Sequence, residues 1–409
     1  MTRLQHLFRK WLDADEDRRR ESRQTTRALT GLNRQISVLQ GLVHRQTDLT
    51  MEALRKAGWQ TDEDAEQHAA LQRALRAVSG SGDVLAGPWT GEVGFELLYW
   101  IPFLNWLVDQ GLDRTRLVVV SRGGASPWYR HLTSRYVDVL DLMTSDEFRL
   151  RTSEAKRKQF SSKRELDRDL TERVTKVHKL RDATHVHPSA MFHLFAGLWR
   201  KRATMEFVQS FTEFRCLDPL PSSDADDERR DLPAGYVAAK FYFSDAFPDT
   251  ADNRDFVTDL LRRVSRRTPV VLMSTAVRLD DHADFQMTGA SGVHIIETHS
   301  TPQKNLERQT RVISGARGFL GTYGGFSYLA PFYRVRSLSF FSRRNGFMPH
   351  HLELADRVFD RLLPGGFLAL HSHAADLIDP AVERWTTPVA AGLESHEPRV
   401  EPAEVDAVR

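Results

Sequence analysis

One cysteine, Cys216, is all the thiol chemistry that 409 residues contain. That excludes an internal disulfide and fits a reducing compartment. No apolar run approaches the roughly 20 residues that span a bilayer. The first residues also lack the apolar stretch of a signal peptide, so the expectation is a cytoplasmic protein. Charge of one sign is missing too: 57 Lys plus Arg stand against 55 Asp plus Glu, a net charge of +2. No bulk field therefore draws the chain to nucleic acid. Neither half of the chain carries G-x-G-x-x-G after its first strand with an acid about 20 residues on, which argues against a nucleotide-cofactor oxidoreductase. His185, His187 and His193 have suggestive spacing, but no nearby cysteine or acid completes a metal set. The acidic "DDHAD" at 280–284 reads as exposed loop charge, and no Asp-x-Asp triplet follows a strand. No required metal or cofactor is expected.

What is present begins with an amphipathic helix. "LQHLFRKWL" spaces Leu4, Leu7, Phe8, Trp11 and Leu12 along one face, with Arg3, Arg9 and Lys10 around it. Residues 3–12 fit either peripheral membrane contact or docking on the protein's own surface. From Leu29 the apolar spacing becomes 3 and 4, through Leu32, Ile36, Leu39 and Val43, and fades through Gln46, Thr50, Ala53 and Ala57. That seam predicts a coiled coil over residues 29–57 and a homo-oligomer through it. Residues 1–79 are read as an appendage.

After it the pattern turns to strands alternating with helices, twice over. Residues 80–217 form one α/β unit, and 234–370 form a second. The acidic, proline-bounded "DPLPSSDADDERRDLP" between them, 218–233, has linker composition. The mixed-charge stretch of about 145–181 reads as solvated helix. Residues 371–409 have little periodicity and read as a disordered tail. Strands joined by helices of this length imply right-handed crossovers and parallel sheets. The fold class expected is α/β, two Rossmann-like domains whose carboxyl strand ends face a cleft.

Two glycine-rich turns stand out. In "LAGPWTGEVGFELLYW" a strand ends, Gly91 and Gly94 bracket Glu92, and an aromatic helix follows. In "GFLGTYGGFSYLAPF" a strand ends at Thr322, Tyr323, Gly324 and Gly325 make the turn, and a helix opens at Phe326 with Ser327 in its first turn. Glycines admit a ligand close to the backbone, and a helix N-terminus offers unpaired N–H groups to a phosphate. A ligand-free tight turn has the same sequence.

This pairing of two Rossmann-like halves, an early glycine-rich loop and a late "GTYGGFSYLAPFY" resembles the GT-B glycosyltransferases. The loop style is similar to that of fucosyltransferase-like enzymes. The resemblance implies a nucleotide-sugar donor, a glycan or other hydroxyl acceptor, and a late strand–helix turn that holds the donor diphosphate. The basic HxRRxD-like signature of many fucosyltransferases is absent, Arg343 and Arg344 being the nearest paired arginines, which leaves the donor open.

On that reading Glu92 would be the base that deprotonates the acceptor, with Asp245 and His187 as rivals. Glu92 serves equally well as a charge at its helix's positive end, and Glu96 as a cap or hydrogen-bond acceptor. Lys240, in the aromatic strand "KFYFS", and Arg254 would neutralise diphosphate; an edge-strand lysine is the competing account of Lys240. Ser274 and Thr275, at a strand end, would line the nucleoside pocket. The function expected is glycosyl transfer, inverting and metal-independent, in glycan or polysaccharide biosynthesis. The alternatives are a coiled-coil scaffold that only binds a sugar nucleotide, or an oxidoreductase.

Overall fold

The computed structural model describes residues 62–154, 164–200, 203–218, 220, 232–275, 283–287, 289–298 and 301–386. The amphipathic segment 3–12, the seam at 29–57 and most of the linker lie outside these residues. Residues 1–66 and 67–409 form two units, and everything below concerns the second. Among the described residues no helix is long and apolar enough to cross a membrane.

The architecture is α/β with two all-parallel sheets. The first takes β1 (Val84–Ala86), β2 (Leu117–Ser121), β3 (Arg135–Asp138) and β4 (Thr184–Val186) in the order β3-β2-β1-β4. The second holds β5 (Val237–Lys240), β7 (Val270–Thr275), β9 (Val293–Thr298), β10 (Gly318–Thr322), β11 (Arg336–Phe341) and β12 (Phe367–His371). Its order is β12-β11-β10-β5-β7-β9. Counted within its own half, that is the 3-2-1-4-5-6 order of a dinucleotide-binding sheet, and the first sheet is its 3-2-1-4 portion. A short antiparallel pair, β6 (Tyr242–Phe243) with β8 (Ala283–Asp284), stands apart from both.

The strands are valine- and leucine-rich because both faces are covered. In the second sheet Val237, Ala239, Val270, Leu272 and Leu320 join the cluster beneath Leu260, Leu261 and Val264 of the helix Ala251–Ser265. Their neighbours Ala238, Val271, Met273 and Phe319 turn to the other face and join a larger cluster. That cluster runs from Trp89, Trp100 and Phe103 of the first half to Tyr328, Phe332 and Phe359 of the second. The halves are thus fused through a shared core. The first sheet's far face packs on Phe148, Leu166, Leu170 and Val174. These belong to two helices, Ser145–Glu154 and Glu165–Val177, into which the charged stretch resolves.

Two expectations need correction. The segment read as tail from 371 contains the end of β12 and a helix, Ala375–Thr386. Its Ile378, Ala381, Val382 and Trp385 fall at i, i+3, i+4 and i+7 and pack into the second sheet's core; Pro380 masks that period in the sequence. Lys240 is not an edge-strand device, because β5 lies between β10 and β7 in the sheet interior.

Candidate active site

In the second sheet the strand order reverses between β5 and β10, and outside their carboxyl ends lies a cavity of about 520 Å³. The chain brings both glycine-rich turns to it. The first follows β1 and opens a helix that starts as Val93–Phe95, passes through π turns at Glu96–Trp100 and continues as Ile101–Asp109. The second follows β10 and opens the helix Gly325–Phe332. The two turns touch. A Cβ on Gly325 would lie 2.8 Å from Val93 Cβ and 2.9 Å from the Gly94 nitrogen. A Cβ on Gly324, whose φ is +145°, would lie 2.2 Å from the Tyr242 hydroxyl. Both glycines are therefore required by protein packed against them, a different reason from the ligand approach expected of them.

Of the expected site residues, Glu92, Lys240, Asp245, Tyr323, Gly324, Gly325 and Phe326 line this cavity. Glu92 is exposed on one wall as the N-cap residue of Val93–Phe95. Asp245 is exposed in the loop after β6, whose Ala246 carbonyl accepts the Ser342 and Arg343 N–H groups beyond β11. Lys240 is only 3% exposed; its Nζ donates to Asp284 Oδ2 at 2.6 Å and sits 5.5 Å from the Phe326 ring centroid. The lysine's partner thus comes from the acidic run read as loop charge, carried to it by β8.

Thr322 and Ser327 are buried and hold the turn in place. Thr322 Oγ1 donates to the Tyr242 carbonyl at 2.8 Å and accepts its N–H at 3.0 Å. Ser327 Oγ donates to the Gly324 carbonyl at 2.7 Å and accepts its N–H at 3.1 Å. The first-turn N–H groups of Gly325 and Phe326 are those a helix leaves without intrahelical acceptors.

The remaining residues lie elsewhere. Arg254 is exposed, bonded to both Asp249 oxygens at 2.5 and 2.7 Å, with its guanidinium over Phe243. Ser274 and Thr275 end β7 beside β5, outside the cavity lining. His187 is buried after β4, with Nε2 3.3 Å from Asp167 Oδ2 and Nδ1 accepting the Ser189 N–H.

Among the lining residues that escaped sequence reasoning are Arg122, Asn305, Gln309 and His351. Arg122 carried a usable signal, since it follows the strand "VVVS" and precedes Gly123 and Gly124, the same arrangement that singled out Glu92. It is 5% exposed; one guanidinium nitrogen donates to the Gly91 carbonyl, and Nη1 lies 3.6 Å from Glu96 Oε2. Glu96 is fully buried and accepts from Ser121 Oγ and Tyr129 OH, each at 2.5 Å. Burial pushes its carboxyl up to about 7, although the Arg122 charge and the two hydroxyls pull the other way. His351 Nδ1 is 2.6 Å from the Tyr99 hydroxyl, joining the two halves.

Among the described residues no three His, Cys, Asp or Glu side chains form a metal-binding group. The cavity combines a helix N-terminus, two cations and three carboxylates (Glu92, Asp245 and Asp284). Such a set can hold an anion and accept a proton beside it.

No family model matches the chain, and no curated protein matches it. Among solved structures it is similar to the E. coli ADP-heptose lps heptosyltransferase II, at 10% identity over 71% of this chain and 90% of that one, with a TM-score of 0.39. It is similar to the glycosyl transferase family 9 protein from Veillonella parvula, at 8% identity over 74% and 88%, with a TM-score of 0.39. The iron-containing dodecameric glycosyltransferase TibC from enterotoxigenic E. coli gives 14% identity over 75% and 77%, with a TM-score of 0.40.

Proposed function

We propose that the protein is a GT-B glycosyltransferase that moves a sugar from a nucleotide-sugar to a hydroxyl acceptor in glycan or polysaccharide biosynthesis. One observation carries the reading. The cavity lies at the β5/β10 switch point, with the N-terminus of Gly325–Phe332 on one side and Glu92 on the facing turn. Open α/β sheets bind their ligands at that point, and a helix N-terminus there suits a diphosphate.

The chemistry follows from those positions. Glu92 takes the acceptor hydroxyl proton as that oxygen bonds to the anomeric carbon. The bond from the anomeric carbon to the diphosphate breaks, and its electron pair leaves with the diphosphate. The helix N-terminus stabilises the charge that builds up there. Attack from the face opposite the leaving group inverts the anomeric centre, and no metal is required. Asp245, which lines the same cavity, is the rival base.

A dinucleotide oxidoreductase is less well supported, despite the strand order. Such folds seat the pyrophosphate on a helix that opens directly after the first strand. Here β5 leads into β6, and the next helix begins only at Ala251.

The test is thermal unfolding of the full chain with ADP, GDP, UDP, CDP and dTDP and their sugar conjugates. One of them at about 100 times its dissociation constant should add roughly 2.7 kcal/mol of stability, an upward Tm shift that is easily read. No shift with any of them would remove the reading. Binding without transfer, unchanged by losing Glu92 and Asp245, would favour the scaffold alternative.

A further inference from the structure

We infer that Arg122, delivered by the first half, is the cation that meets the donor's diphosphate, and that Glu96 competes with the diphosphate for it. The inference rests on the glycosyl-transfer reading and deepens it.

A doubly charged leaving group needs cationic partners, and the candidates differ in availability. Lys240 is already in a 2.6 Å ion pair with Asp284. Arg254 is tied to Asp249 on the surface, outside the cavity. Arg122 lines the cavity while nearly buried, and its Nη1 has no hydrogen-bond acceptor among the described residues. Its nearest counter-charge, Glu96 Oε2, stands off at 3.6 Å and likewise lacks a hydrogen-bond donor there. A buried guanidinium with an unused N–H is costly unless something binds it.

Its surroundings also suit an anion of the donor. The bond to the Gly91 carbonyl places the guanidinium at the base of the turn whose Gly94 packs on Gly325, beside the helix N-terminus. On its other side, Leu306 N–H donates to the Gly123 carbonyl at 2.7 Å, bringing Asn305 and Gln309 into the same cavity wall. Gln309 Oε1 is buried without a donor among the described residues. It could accept from a sugar hydroxyl next to the bound anion.

Glu96 makes the site adjustable. It faces Arg122, Ser121 and Tyr129, with Asp138 and Tyr136 behind them. When neutral it leaves the Arg122 charge to the ligand; when ionised it draws that charge back.

The experiment measures dissociation constants by calorimetry for inorganic pyrophosphate and for ADP, GDP, UDP, CDP and dTDP. The proteins are the full chain and its Arg122→Gln, Arg122→Lys and Glu96→Gln variants. Arg122→Gln should weaken pyrophosphate and the preferred nucleotide by tenfold or more, and Arg122→Lys by less. Glu96→Gln should tighten both several-fold at pH 8.5 and hardly at all at pH 6, where the wild-type carboxyl is already neutral. A role confined to folding would weaken binding in every variant and could not produce that gain.

The Glu96→Gln comparison stands even if Arg122→Gln fails to fold. Unchanged affinities in folded Arg122→Gln, or no gain in Glu96→Gln at pH 8.5, overturn the inference and leave glycosyl transfer intact. Arg122-dependent binding of pyrophosphate without binding of any nucleotide upholds the anion site and removes glycosyl transfer. Binding of neither probe by the wild type overturns both.

Discussion

The two sheets share the 3-2-1-4 order, so each has a switch point, yet only one of them is open. At the first, between β1 and β4, His187 folds back and its Nδ1 accepts the Ser189 N–H. The first turn of the helix Ser189–Trp199 thus spends a donor on the chain's own side chain. Asp167 sits against His187 Nε2 and against Arg164 and Thr90, and His185 Nε2 is 2.6 Å from the Gly87 carbonyl. Burial holds the His185 ring down at about 4, so it stays neutral. What space is left measures about 170 Å³. At the second switch point the turn after β10 is Gly324–Gly325; the glycines carry no side chain, the small Ser327 hydroxyl accepts the Gly324 N–H, and about 520 Å³ remains open. Strand order makes a crevice in both sheets. The residues just past the strand decide whether the protein fills it or leaves it for a ligand.

Unplugging the filled crevice tests which switch point works. Asp167→Ala removes a fully buried carboxylate, leaving Arg164 without its counter-charge and His187 Nε2 without its neighbour. Removing one partner of a buried pair costs about 3 kcal/mol or more. Chemical denaturation should show that loss, while transfer per folded molecule stays within about twofold of wild type. Normal stability with transfer abolished would make the first switch point the working one.

At the open crevice the rate should change most. Glu92→Gln keeps size and hydrogen bonding but cannot take a proton. It should cost roughly a hundredfold in transfer, the usual scale for losing a general base. Nucleotide affinity should hold, and so should stability, because Glu92 is exposed. If Asp245→Asn or His187→Ala is inactive and Glu92→Gln is not, the base moves and Glu92 is left as a helix-end charge.

How much of this was legible in the sequence follows from what sequence can encode locally. The parallel sheets and the two glycine turns are written in short apolar runs and the punctuation after them. That Gly94 and Gly325 meet is a long-range fact, invisible until both halves are folded. The partnership of Lys240 with Asp284 was hidden for the same reason, 44 residues apart along the chain. Arg122 was missed although its local pattern matched that of Glu92, because a lone arginine after a strand is indistinguishable from a solvated one without its burial. The helix Ala375–Thr386 was missed because an internal proline and a charged composition outweighed a correct apolar spacing.

A third prediction tests the buried carboxylate beneath the open crevice through pH. Glu96 titrates near 4.5 in an unfolded chain and near 7 in the folded one. The native state therefore holds this proton more tightly. Its contribution is fully present below about pH 4.5 and is lost as pH rises to about 7. Relative to Glu96→Gln, which carries no such proton, wild-type stability should fall by roughly 2 kcal/mol between pH 5 and 7.5. Parallel pH profiles for the two proteins would show that Arg122 compensates the charge fully, making the site rigid instead of adjustable.

The smallest effect should come from the contact that joins the two turns. No positive φ bars a side chain at Gly325, so Gly325→Ala costs little in backbone strain. Its Cβ must instead displace Val93 Cβ at 2.8 Å and the Gly94 backbone nitrogen at 2.9 Å. The turns would be pushed apart by a few tenths of an ångström, and with them Glu92 and the helix N-terminus on either side of the cavity. If the ligand bridges both turns, Gly325→Ala should weaken nucleotide binding by about tenfold, or 1.4 kcal/mol. Val93→Gly removes the closest obstructing atom and should restore part of that loss, a coupling that a double-mutant cycle resolves. Additive effects of the two substitutions would mean that the ligand sits on the second turn alone. The first half would then supply chemistry without helping to hold the donor.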